Sequence, residues 1–214
     1  MTVAALIPAA GLGVRAGLGP KAFVRVGGRT LIEHAVALFD GLVDERCLAV
    51  PADRVAEARA LLPGVTVIAG GATRQATVRA LLDLCTAELV LVHDAARPLA
   101  PRALAERVLD ATRAHGAAVA ALPVADTLHD AEHDRPVPRA ALRAIQTPQG
   151  FRRAVLVEAH ERAVRDGLAA TDDAGLVRRL GVTVALVEGS PWAAKLTGPD
   201  DLGWIAALAA GGAA

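Results

Sequence analysis

Short, wholly apolar runs separated by amphipathic stretches recur from one end of this chain to the other, and that alternation restricts the fold more than any other feature. Val3 to Ile7, Cys47 to Val50, Val65 to Ile68, Leu89 to Val92, Ala117 to Leu122 and Thr183 to Val187 read as strands buried on both faces. Thr30 and Glu33 have the spacing of a capping box that opens a helix through Phe39. The segments starting at Asp53, Thr73, Pro101, Arg152 and Asp172 carry apolar residues at three- and four-residue intervals, as helices with one buried face do. Repetition of strand and helix predicts an α/β class, a doubly wound, mostly parallel, Rossmann-like sheet. In such a sheet ligands lie beyond the carboxyl ends of the strands, so residues just after a strand take priority as site candidates.

One stretch departs from this rhythm. Ala125 to Gln149 is polar, charged and rich in turn residues, and reads as a projecting β-arm with its turn near Glu132 to Pro136, a disordered surface loop being the alternative. The 214 residues otherwise suit one domain, 1–214, and the closing alanine and glycine run reads as a frayed tail.

Twenty-three basic residues balance twenty-three acidic ones, so no global field draws the chain to nucleic acid or an anionic membrane, and any phosphate chemistry is local. The start, MTVAALIPAAG, has no basic leader region, and its apolar run is far shorter than the roughly 20 residues of a membrane span. Cys47 and Cys85 match no zinc or redox spacing and read as reduced core residues; a cytoplasmic location is expected. The cations are informative in another way. Twenty-one are arginines and two, Lys21 and Lys195, are lysines. Where arginine is the default, a lysine marks a place that needs a compact ammonium, and both become site candidates.

The motifs fall where the fold expectation puts ligands. The first apolar run leads into Pro8-Ala9-Ala10-Gly11-Leu12-Gly13-Val14-Arg15, followed by Pro20-Lys21. Small residues let backbone N–H groups approach an anion, and Arg15 and Lys21 bracket the far half of the loop with the charge a triphosphate needs. The loop fits neither a Walker A sequence, since Ala22 follows the lysine, nor a dinucleotide-binding domain, since Val50-Pro51-Ala52 provides no acid at the end of the second run. Val92-His93-Asp94-Ala95-Ala96-Arg97 sets a carboxylate and a guanidinium at the rim of another strand; an Asp94–Arg97 ion pair holding the turn is the structural alternative, and His93 reads as a packing residue. Gly70-Gly71-Ala72-Thr73 and Thr77 provide close backbone approach, a helix N-cap at Thr73 and a hydroxyl.

Taken together, PAAGLGVR with the following PK, GGATRQATV, VHDAARP, Asp126-Thr127, Pro138-Arg139 ahead of QTPQ, ATDDA and AKLT closely resemble the 2-C-methyl-D-erythritol 4-phosphate cytidylyltransferase family over essentially the whole chain. The resemblance implies a nucleotidyltransferase fold and transfer of a cytidylyl group from CTP, its phosphates bridged by Mg²⁺, to a sugar-alcohol phosphate, with release of pyrophosphate. A related cytidylyltransferase using another polyol phosphate, such as ribitol 5-phosphate, is the alternative.

By matching positions, the resemblance assigns catalysis to Arg15, Lys21 and Lys195, and the nucleotide to Pro8, Ala9, Ala10, Gly11, Gly13, Gly71, Thr77 and Ala95. It gives the acceptor Asp94, Arg97, Thr147 and Thr171, with Thr127 and Arg139 delivered by the arm of a second subunit in a homodimer. No direct protein ligand of the metal is implied. Ala72 and Ala22 depart from the family, which usually has an acidic residue and a glutamine there.

Overall fold

In the computed structural model, which describes residues 1–11 and 20–210, the strands are β1 (Val3–Pro8), β2 (Arg25–Val26), β3 (Arg29–Thr30), β4 (Glu45–Val50), β5 (Thr66–Ala69), β6 (Leu89–Val92), β7 (Ala117–Pro123), β8 (Leu128–Asp130), β9 (Arg135–Val137), β10 (Arg143–Arg152) and β11 (Ala185–Glu188). The helices are α1 (Leu31–Ala37), α2 (Val55–Leu61), α3 (Arg74–Leu84), α4 (Arg102–His115), α5 (Arg153–Arg165), α6 (Asp173–Arg179) and α7 (Pro199–Ala210). Seven strands form the main sheet in the order β11-β7-β10-β6-β1-β4-β5; β10 runs antiparallel to both neighbours, and the other pairings are parallel.

Successive side chains of a strand face opposite ways, and here both faces are covered. Val3, Ala5 and Ile7 of β1 join a core that includes Ile32 and Val36 of α1 and Leu104 and Val108 of α4. Ala4 and Leu6 join a second core with Leu81 of α3, Leu156 of α5 and Val177 of α6. That double coverage is why the strands read as continuous apolar runs rather than alternating ones. Both cysteines lie in the second core as free thiols, and burial pushes Cys47 up to about 12, so neither is poised for thiolate chemistry.

Local signals act as the residue types require. Glu33 N–H donates to Thr30 Oγ1 at 3.3 Å while Thr30 N–H donates to Glu33 Oε2 at 2.6 Å, which completes the capping box of α1. Thr73 caps α3, its hydroxyl accepting from Ala76 N–H at 3.0 Å. The arm expected over 125–149 is shorter: β8 and β9 pair as a small, largely exposed hairpin whose turn spans 131–134, whereas 143–149 belong to β10 inside the main sheet. At the other end, the alanine-rich run expected as tail is helical as far as Ala210.

At Gly150, near the end of β10, α4 comes so close that an added Cβ would lie 2.0 Å from Thr112 Oγ1 and 3.0 Å from Leu91 Cδ2. Gly150→Ala is therefore expected to destabilise the fold by about 1–3 kcal/mol through overpacking. Thermal unfolding should show a midpoint lower by roughly 2–4 °C for each kcal/mol.

Candidate active site

Four segments meet at the carboxyl edge of the parallel strands. β1 leads into Pro8 to Gly11, β5 into Gly70 to Thr73, and β6 into His93 to Arg97, while a 3-10 turn at Pro191–Ala193 follows β11 and leads to Lys195. Together with Lys21, Ala22 and Leu31, and with Pro51 to Asp53 after β4, they line a cavity of about 970 Å³, large enough for a nucleotide. Among the expected nucleotide contacts, Pro8, Ala9, Ala10, Gly11, Gly71, Thr77 and Ala95 line it, as do Lys21, Asp94 and Lys195. Arg15 and Gly13 lie outside the described residues.

The two lysines come from opposite ends of the chain to one wall. Lys21 Nζ donates to the carbonyl of Thr197 at 2.5 Å, two residues beyond Lys195. Leu196, between them, is fully buried with Val26, Leu31 and Ile205, so a small apolar cluster fixes the backbone on either side of it. Asp201 completes the hold, its Oδ2 accepting from Thr197 N–H and Oγ1 at 2.6 Å each and from Gly198 N–H at 2.9 Å.

Asp94 sits between cations. Its Oδ2 accepts from Lys195 Nζ at 2.7 Å and its Oδ1 from Arg74 Nε at 3.2 Å; with Arg97 it shares a turn hydrogen bond from Arg97 N–H to its carbonyl at 3.0 Å. Burial opposes the carboxylate, but Arg74 and Lys195 outweigh it and hold Asp94 well below the usual carboxylate range. It is therefore ionised throughout the neutral range. His93 is enclosed, packs edge-to-face on Phe39 at 5.7 Å, and is pushed down to about 4 by burial, as befits a neutral packing residue.

The turn after β5 is shaped by contact. A Cβ at Gly70 would lie 2.1 Å from that of Ala10, so only glycine lets the β5 turn touch the first loop. Thr77 braces this turn: its hydroxyl accepts from Gly71 N–H at 3.0 Å and donates to the Thr73 carbonyl at 2.8 Å.

The remaining expected residues do not form part of the cavity lining. Arg97 donates to the carbonyls of Ala193 at 2.5 Å and Ile145 at 3.4 Å, bracing the wall between β10 and the Lys195 segment. Thr147, buried, accepts from Asp94 N–H at 3.1 Å and meets His93 Nδ1 at 3.1 Å, which ties β10 to the end of β6. Thr171 is exposed just ahead of the α6 N-cap, Asp172. Thr127 and Arg139 flank the hairpin, Arg139 donating to the Ala125 carbonyl.

Arg74 has no role in the sequence reading, yet it lines the cavity, bridges two carboxylates, and keeps its Nη2 buried without a hydrogen-bond partner among the described residues. A signal was present: a cation at the first position of a helix opposes the helix dipole and calls for a nearby anion.

Comparison with known proteins agrees with this geometry. The family model for 2-C-methyl-D-erythritol 4-phosphate cytidylyltransferase matches residues 3–209. Proteins of that name from Thermus thermophilus and Deinococcus radiodurans are 53% and 52% identical to this chain, over 98% and 96% of it and 98% and 88% of their own lengths. The crystal structure of the Thermus thermophilus enzyme superposes with a TM-score of 0.87 at 49% identity, covering 98% of this chain and all of that one. A bifunctional enzyme from Campylobacter jejuni aligns over 95% of this chain and 54% of its own, with a TM-score of 0.85 and 26% identity. The alternative of a cytidylyltransferase for a different polyol phosphate is not favoured. The chain belongs to the 2-C-methyl-D-erythritol 4-phosphate cytidylyltransferase family, and is thus a nucleotidyltransferase of non-mevalonate isoprenoid synthesis.

Proposed function

We propose that this cavity performs the family's reaction: an acceptor phosphate oxygen of 2-C-methyl-D-erythritol 4-phosphate attacks the α-phosphorus of CTP in line, a new P–O bond forms, and pyrophosphate leaves with the electron pair of the broken one. The convergence of the chain's two lysines on one wall of a nucleotide-sized cavity carries this reading. The backbone of Ala9 to Gly11 and the Gly70-Gly71 turn cradle the nucleotide, and Lys21, Lys195 and Arg15 spread the negative charge that moves toward pyrophosphate. Asp94 receives the acceptor, with Arg97, Thr147 and Thr171 shaping that side. An already ionised phosphate needs no proton removed, so positioning and electrostatics carry the catalysis.

Magnesium carried on the CTP phosphates suits these residues. Asp53 and Asp94 are the carboxylates lining the cavity among the described residues, and Asp94 already serves two cations, so phosphate oxygens would supply most of the ligands. Such an ion would neutralise part of the phosphate charge.

The working unit in this proposal is a homodimer, cytoplasmic in location. Thr127 and Arg139 flank an exposed hairpin and do not line their own chain's cavity, which fits delivery to a second subunit. No helix among the described residues is long and apolar enough to cross a membrane.

The test is to incubate the protein with Mg²⁺, methylerythritol phosphate and each of CTP, UTP, GTP and ATP, and to identify products by mass. The expected outcome is 4-diphosphocytidyl-2-C-methyl-D-erythritol and pyrophosphate from CTP. Turnover with ribitol 5-phosphate in place of methylerythritol phosphate would overturn the acceptor assignment.

A further inference from the structure

Behind Asp94 the polar network runs away from the cavity into residues that cytidylyl transfer does not itself use. Arg74 donates through Nε to Asp94 Oδ1 at 3.2 Å and through Nη1 to Asp173 Oδ2 at 2.7 Å, and Asp173 Oδ1 meets His160 Nε2 at 3.0 Å. Asp173 and His160 are each 1% exposed, at the junction of α5 and α6. Enclosing a carboxylate and an imidazole is costly unless both are well partnered, and such a pair is a poor means of adding stability. Its consequence for the site lies in Arg74. A planar guanidinium can span two carboxylates at once, which a lysine ammonium cannot reproduce.

The same junction holds the acceptor side to the nucleotide side. Gln75, next to Arg74, donates through Nε2 to the Leu168 carbonyl at 3.2 Å and accepts from Ala170 N–H at 3.2 Å. Gln149 of β10 donates to Asp172 Oδ2 at 2.9 Å and accepts from Ala174 N–H at 3.1 Å. Asp173 is thus fixed from β10 and α5, and has Arg74 as its link to the cavity.

We propose that Asp173, held by His160, is a positioning residue for the acceptor: it aims Arg74, and Arg74 sets the orientation in which the Asp94 carboxylate meets the sugar-alcohol phosphate. This rests on the reading of Asp94 as an acceptor-binding residue. With no charge at position 173, Arg74 would turn wholly to Asp94 and compete there with Lys195 and the acceptor.

Asp173→Asn keeps the shape and removes the charge. Its KM for methylerythritol phosphate is expected to rise about tenfold while its KM for CTP stays within about twofold, a split that loss of general structure does not produce. Asp173→Glu, which restores the charge, should recover most of the difference. In an Arg74→Lys background, Asp173→Asn should add no more than about a further twofold, because the two residues act as one unit. An unchanged acceptor KM, an equal rise in both KM values, or full multiplication of the two effects would overturn the proposal. Should Asp173→Asn not fold, Arg74→Lys carries the same test, with the same split expected and an unchanged acceptor KM overturning it. Wild-type turnover of methylerythritol phosphate is the control: its absence would remove the acceptor assignment itself, a failure distinct from that of the positioning role.

Discussion

Lys21→Ala is expected to lower kcat for cytidylyl transfer by roughly 10²-fold or more, equivalent to about 2.7 kcal/mol or more of barrier, by analogy with losing one preorganised oxyanion donor. The side chain lines the cavity and reaches the Thr197 carbonyl, beside Lys195, so its ammonium lies where the two ends of the chain meet. The CTP phosphates are charged from the start, but further charge reaches the leaving pyrophosphate only as the P–O bond breaks, so the loss should fall on kcat more than on the KM for CTP. Lys21→Arg should remain at least about tenfold below wild type, since a fork-shaped guanidinium does not replace a compact ammonium. Steady-state release of pyrophosphate checks both; near-normal turnover in the alanine variant would remove Lys21 from the catalytic set.

The second large effect concerns the arm. Arg139→Ala is expected to reduce activity by roughly 10²-fold, comparable to losing a charged contact to the acceptor phosphate. If Arg139 serves the partner's cavity, a dimer made of one Arg139→Ala subunit and one Lys21→Ala subunit keeps one intact site. Random mixing of the two inactive variants makes half the dimers hybrid, so activity should return to about a quarter of wild type in a two-fold symmetric assembly. Measuring turnover before and after subunit exchange decides the matter, and no recovery would count against the shared site.

How far the sequence could be read varies from element to element. The run Leu89 to Val92 is β6 to the residue, and the Thr30–Glu33 capping box has both of its hydrogen bonds, because apolar runs and caps depend on neighbours within a few residues. β10 was not legible. Its sequence, RAIQTPQGFR, contains the polar residues Gln146, Thr147 and Gln149, which a periodicity reading sends to the surface. All three are buried because the fold satisfies them: Gln146 exchanges hydrogen bonds with the backbone of Ser190 at 2.8 and 2.9 Å, and Gln149 serves the α6 cap. A buried amide with two backbone partners looks like a loop residue until those partners are known. The hairpin, by contrast, is foreseeable from turn chemistry, which does not show where the hairpin ends and β10 begins.

The same division holds at the candidate site. The rarity of lysine singled out Lys21 and Lys195, and the position of the glycine turns after strands singled out the loops that enclose the cavity; composition and order alone determined these. Tertiary structure decided the partnerships. Arg74 finds Asp94 twenty residues away and Asp173 ninety-nine residues away because α3 packs on β1, the neighbour of β6 in the sheet, and on α5, against which α6 packs, arrangements set by sheet order and helix packing. Short-range signals depend on backbone geometry that each segment carries with it. A bridge between distant carboxylates depends on which strand ends become neighbours, and that is settled only when the whole sheet has packed.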